Sequence, residues 1–362
     1  MKCSAKFAAI LTCLMLMVCI SAVYPGYTDA AQVKDIKDIR VGVSIGHTQE
    51  ERWQREIDMF RSYAEEHGFE LLVQSAENNA QRQISQCENL VSQGIDVLIL
   101  QSLDADGVAP IIDMAHRDGV PVISYDRFAM NCDLDYYITF DSFKVGATQA
   151  TFVTERAPKG NYIWLKGGAE DNNAHLVAAG QRSILQPFID RGDINIILEQ
   201  WCRGWDPNEA LNHTENALTL ANNDIQGVVA SNDGTAGGAI QALAAQDLNV
   251  PISGQDADLA ACQRIVEGRQ SGTVYKPLAK LNQAAMELAV ALATGKDPKT
   301  AVDPSLGIWT TLNNNHKEVD SFSVDVIAID KDNLYDILIV QDGFHRLEDV
   351  YRNVPQDQWP SN

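Results

Sequence analysis

Six stretches of the chain end in the same unusual way. "ISYDR" closes on Asp126 and Arg127, side by side. "LKGGAEDNN" places Asp171 and Asn173 just past an apolar run, and "LEQWCRGWD" offers Trp201 and Trp205. "VVASND" ends in Asn232 and Asp233, "ISGQDAD" in Gln255 and Asp256, and "TVYK" in Lys276. Carboxylates and amides can hold two neighbouring hydroxyls in plane, while Arg and Lys donate to hydroxyl oxygens and balance the acids. Trp supplies a flat apolar face for the C–H side of a ring. The mixture suits a neutral, hydroxyl-rich ring, with Asp126 and Arg127 compensating each other. A single such ending could be no more than a helix cap, where Asp and Asn are favoured. Caps do not call for Arg, Lys and Trp alongside, and the pattern recurs in both halves. Arg52 and Trp53, at a predicted helix start, join the set. Core packing is the alternative for Trp53 and Trp205. Trp164 and Trp309 lie in apolar runs and read as core.

Short β-branched runs alternate with helical spacing, and the polar residues fall at the seams. "IRVGVSI" reads as a strand, followed by Trp53, Ile57, Phe60 and Ala64 at helical intervals. "ELLVQSA", "DVLILQS" and "PVISYD" repeat the plan, with Gly119 stopping the helix before the last. After "YYITFD" the pattern restarts through "NYIWLKG", "INIILEQW", "GVVASND" and "PISGQD". Alternation of this kind predicts an α/β fold of two doubly wound parallel-sheet lobes with right-handed crossovers, and ligands bind beyond the carboxyl ends of such strands. The last part, with "TVYKP", a long helix, "SVDVIAID" and "YDILIVQDG", is expected to complete both sheets. The predicted division is a leader over 1–31, one lobe from 32–141 and 274–308, a second from 142–273 and 309–351, and a tail over 352–362. The chain is expected to switch sheets near 140–142, 272–274 and 308–311.

Composition narrows the classes. The 362 residues carry a net charge of −21, which argues against nucleic acid, whose phosphates need Lys and Arg clusters. Lys2 and Lys6 precede "FAAILTCLMLMVCISAV" and a small-residue end, the pattern of a cleaved secretory signal; an uncleaved anchor is the alternative, and Val18 before Cys19 argues against lipidation. Cys87, Cys132, Cys202 and Cys262 follow the leader, as thiols or in a disulfide of unassigned pairing. No Cys/His cluster, GxGxxG, Walker lysine, HExxH or nucleophile elbow is present, so neither cofactor nor metal is expected and an enzyme of this architecture is the weaker reading. "DKDNLYD" lacks the glycine and closing glutamate of a calcium loop and reads as a turn between strands.

"ERWQ", "ISYDR", "DNNA", "VVASNDGTAGGAIQAL", "SGQDADLA", "TVYKP" and "DGFH" together resemble the periplasmic D-xylose-binding proteins of bacterial ABC importers, within the type I periplasmic sugar-binding family; the likeness runs from Ile39 to Phe344. The resemblance implies two lobes on a three-segment hinge closing on one sugar, a monomer in the periplasm, and delivery to an ABC permease. It implies ligand contacts from Arg52, Trp53, Asp126, Arg127, Asp171, Asn173, Trp205, Asn232, Asp256 and Lys276. A receptor feeding a chemotaxis or histidine-kinase sensor, or a binder of another pentose or hexose, would share that pocket. Gly46 and His47 stand where the resemblance implies acidic residues, and His47 is expected at the surface or rim rather than on the ligand.

Overall fold

In the computed structural model, which describes residues 34–48 and 51–360, two parallel sheets carry the chain; the expected leader over 1–31 lies outside the described residues. The first sheet forms from β1 (Arg40–Ile45), β2 (Glu70–Ser75), β3 (Val97–Leu100), β4 (Val122–Tyr125) and β5 (Tyr136–Phe140), all parallel. Helices α1 (Glu51–His67), α2 (Ala80–Ser92) and α3 (Ala109–Arg117) connect them. β1, β3 and β4 are almost wholly apolar because helices cover both of their faces. On α1, Trp53, Ile57, Phe60 and Ala64 are buried, and so are the polar Arg52 and Glu56.

The chain then enters the second sheet through α4 (Ser142–Arg156), whose first turn is capped by Asp141. β6 (Gly160–Lys166) lies between β7 (Ile194–Trp201) and β8 (Gly227–Ala230), linked by α5 (Asn172–Asp190) and α6 (Pro207–Leu220). After α7 (Asp233–Ala244), single bridges from Val228 to Ile252 and from Gln255 to Val274 extend the sheet past α8 (Leu259–Val266). α4 and α5 lie in direct backbone contact: a methyl at Gly180 would come within 2.0 Å of the Phe143 carbonyl oxygen, so only glycine allows this approach.

The remaining pairing departs from the expected switch points. β9 (Thr273–Tyr275) stays with the second sheet and pairs antiparallel with β12 (Ile327–Ile329). α9 (Leu278–Thr294) then returns to pack on α1 and the first sheet. β10 (Ile308–Asn313) and β11 (Glu318–Val324) form a hairpin whose second strand pairs with β5, so both belong to the first sheet rather than the second. The chain therefore changes sheets at 140–142, just after Tyr275, and between Val324 and Ile327. "YDILIVQDG" is not a strand: Tyr335–Gln341 forms a π-helical stretch. Leu334 and Leu338 are both fully buried while Asp336 between them is exposed; a strand would turn all three to one face, and a helical turn does not. Cys87, Cys132, Cys202 and Cys262 are buried free thiols.

Candidate functional site

The carboxyl ends of both sheets face one cavity. All ten residues of the implied ligand set line it, with Gln255, also named at a strand end, and with Ser142 and Val177; Asp233 does not. Trp201 does not line it, and neither do Trp164 and Trp309; Trp201 instead stacks on Lys166, 4.1 Å away.

The first sheet contributes a set of interlocked ions. Arg52, in the first turn of α1, donates from Nε to Glu56 Oε1 at 2.8 Å and from Nη2 to Asp126 Oδ2 at 2.9 Å. Its Nη1 reaches Asp256 Oδ1 of the second sheet at 3.5 Å. Behind it, the Tyr125 hydroxyl donates to the other oxygen of Glu56. The Arg52 guanidinium lies 4.2 Å from the Trp53 ring, a cation–π contact that fixes the indole beside the cavity. Burial pushes the Glu56 carboxyl up against the pull of Arg52, with Asp126 adding to the rise. At Asp126 burial acts in the same direction, but Arg52, Lys276 and Arg127 together outweigh it and hold the carboxyl below its usual range.

Asp126 is positioned by its backbone as much as by its charge. Its φ is +61°, in the left-handed region that a non-glycine residue enters at a cost of about 1–3 kcal/mol. Its amide donates to the Ile138 carbonyl at 2.8 Å. Its own carbonyl accepts from Tyr137 Oη at 2.7 Å and from Asn173 Nδ2 at 2.6 Å. Asp256 repeats the device across the cleft, with φ +93° and its amide donating to the Val274 carbonyl at 2.9 Å. Its carboxylate meets Lys276 Nζ at 3.2 Å.

The second sheet builds its wall from helix starts. Asp171 caps α5, accepting from the Asn173 amide at 2.9 Å through Oδ1. Its Oδ2 takes Arg127 Nε at 3.0 Å and Trp205 Nε1 at 3.2 Å. Burial raises the Asp171 carboxyl, with Arg127 opposing and Asp126 adding to the rise. Asn232 caps α7 in a reciprocal box with Thr235, so its oxygen is committed and its amide NH2 is what it can offer a ligand. Trp205, with φ +58°, lies flat against Gly167, where an added methyl would come within 2.4 Å of the ring. Across the cavity, Arg52, Arg127 and Lys276 balance Asp126, Asp171 and Asp256, so a neutral ligand leaves no net charge stranded.

Two residues near the cavity correct or extend the sequence reading. His47 is not at the surface: it is 2% exposed, and its Nε2 accepts from Arg127 Nη2 at 3.2 Å. Burial, then Arg127 and Arg52, push its imidazole down to about 3, so it is the neutral acceptor this contact requires. Glu56 was passed over, although its spacing of four residues from Arg52 on one helix is the signal of an ion pair.

Residues 41–297 match the family model for the periplasmic binding protein domain. The chain is 44% identical to the D-xylose-binding periplasmic protein of Escherichia coli (strain K12) over 86% of its own length and 92% of the relative's. It is equally identical to the D-xylose-binding periplasmic protein of Haemophilus influenzae, over 87% of this chain and 93% of that one. A solved carbohydrate transporter solute-binding protein from Chloroflexus aurantiacus, in complex with D-glucose, is 33% identical with a TM-score of 0.78, covering 85% of this chain and 97% of that one. Two parallel sheets that turn their strand ends toward one charge-balanced cleft, on a chain sharing this much sequence with such relatives, make this protein a member of the periplasmic binding protein family.

Proposed function

We propose that the protein is an exported, non-enzymatic receptor that captures one molecule of D-xylose as its two sheet-centred lobes close, and hands it to an ABC permease. The observation that carries the reading is the cavity itself: three cations and three carboxylates, paired across two lobes beside two indoles. Planar donors and acceptors of that kind match the hydroxyls of a pyranose, and Trp53 and Trp205 offer faces for its C–H side. Arg52–Asp256 and Arg127–Asp171 cross the cleft, so closure completes the site and opening takes it apart. The relatives named for D-xylose are the ground for choosing a pentose. The basic, apolar and small-residue order of residues 1–31 is the ground for export. We assign the protein no reaction. Ten residues carry the contacts: Arg52, Trp53, Asp126 and Arg127 from the first lobe, and Asp171, Asn173, Trp205, Asn232, Asp256 and Lys276 from the second.

Titration calorimetry of the monomeric protein against a panel of pentoses and hexoses tests this. D-xylose should bind most tightly and be recovered chemically unchanged. A panel in which no monosaccharide binds, or a sugar recovered as a different compound, overturns it.

A further inference from the structure

Arg127 lines two cavities. Besides the site described above, it borders an outer chamber that is open to solvent, between the same two lobes. Their linings interleave along the chain: Asp171 and Trp205 face the inner cavity, while the preceding residues, Glu170 and Gly204, face the outer one. What separates the two is a chain of hydrogen bonds. Trp205 Nε1 and Arg127 Nε both donate to Asp171 Oδ2, at 3.2 and 3.0 Å, and Arg127 Nη2 continues to His47 Nε2 at 3.2 Å. Trp205 and Asp171 come from the second lobe, Arg127 and His47 from the first. His47 is the next member of the row and lines the outer chamber but not the inner one.

We propose that His47 is a specificity-determining residue: by bracing Arg127 it completes a partition that limits the inner cavity to a single sugar ring. The inference rests on reading that cavity as a monosaccharide site. Without the imidazole, Arg127 keeps Asp171 but loses its outer support, and the two chambers become continuous. The outer chamber has the chemistry to receive a second ring, with Asn78, Asp104, Glu170, Arg203 and Asp206 around it. The ligand class admitted by an opened partition is therefore a disaccharide with one ring in each chamber. His47 stays a neutral acceptor because burial and two guanidiniums disfavour its protonation, so the brace holds across the whole neutral and mildly acidic range.

The test compares D-xylose with β-1,4-linked xylobiose by calorimetry on the full chain, in wild type, His47→Ala and His47→Gln. Wild type should take xylose and discriminate against xylobiose by about a hundredfold or more in Kd, and His47→Ala should shrink that ratio by at least about tenfold. His47→Gln, whose amide oxygen can still accept from Arg127, should keep the wild-type ratio. His47→Ser carries the same test should the alanine variant not fold by circular dichroism. A ratio unmoved in the small-side-chain variant while xylose still binds overturns the partition alone, and so does a wild type that binds both sugars equally. A wild type that binds no monosaccharide overturns the underlying reading and the partition with it.

Discussion

The two walls of the cleft reach the same end by different means. On the first sheet, Arg52, Glu56, Asp126 and Tyr125 hold one another, and none of their side chains caps a helix. On the second, Asp171 and Asn232 line the cavity and also start α5 and α7. Of the first wall, Asp126 lines the cavity and caps no helix, so its change should fall mainly on binding, whereas Arg52 and Glu56 form a buried pair in which loss of one strands the other. A capping residue of the second wall carries binding and folding in one side chain, and losing a cap costs about 1 kcal/mol of stability.

Asp126→Asn should show the largest effect. It keeps the shape but leaves Arg52 and Arg127 less compensated in the closed state. Affinity for D-xylose should fall by about 2–5 kcal/mol, a larger loss than that of unliganded stability. Calorimetry and denaturant titration on the one variant decide it; a large loss of stability with affinity intact would make the pair an internal brace and erase the contrast between the walls.

Trp205→Ala should weaken binding by about 2 kcal/mol or more, as for an aromatic anchor in a desolvated pocket. Near-native affinity would remove Trp205 from the site. Trp164→Phe, which alters a buried indole bonded to Gln181 and outside the cavity, should instead act on stability.

The second wall should also make stability depend on pH. Asp233, the first residue of α7, is buried with Arg264, Gln270, Thr273 and Asp256 about it, and burial pushes its carboxyl up to about 7 despite the pull of Arg264. A raised carboxyl contributes stability that is fully present below the unfolded value of about 4 and is lost as pH rises through the folded one. Between about pH 5.5 and pH 7, unfolding free energy should fall by about 2 kcal/mol from this group. Denaturant titrations across that range should show the slope in wild type and a shallower one in Asp233→Asn, since Glu56 and Asp171 are raised as well; equal slopes would clear Asp233.

The smallest effect separates the two roles of Asn232. Asn232→Asp retains the capping acceptor and removes the amide donor, so it should keep more stability than Asn232→Ala while xylose affinity falls. Asn232→Ala removes both, and should lose about 1 kcal/mol of stability as well. If the two variants lose stability equally, the cap is not what Asn232 contributes.

Much of this was legible in the chain because strand ends and helix starts have local signatures. The runs from "IRVGVSI" to "GVVASND" became strands at nearly their expected bounds, and the polar residues beyond them converged on one cavity. What escaped was non-local. The hairpin Ile308–Val324 joins the first sheet because β11 finds β5, some 180 residues earlier in the chain, and no local pattern records that partner. Glu56 and His47 sit among polar neighbours that look like a solvated surface. For Glu56 the four-residue spacing from Arg52 was a local signal and only its burial is non-local; for His47 only folding shows that it faces Arg127. In "YDILIVQ" the β-branched residues suggest a strand, and the exposure of Asp336 between the buried Leu334 and Leu338, which decides for a helical turn, shows only in the folded chain.

The left-handed backbone at Asp126 and Asp256 bears on protein engineering. Any redesign that ranks substitutions by local conformational preference would favour Gly or Asn at both positions, since either relaxes the turn. Each such choice would raise the score of the scaffold while removing a carboxylate from the cleft. A thermostabilised biosensor built on this chain should therefore hold both positions fixed, and seek its gains on exposed helical surface remote from the strand ends.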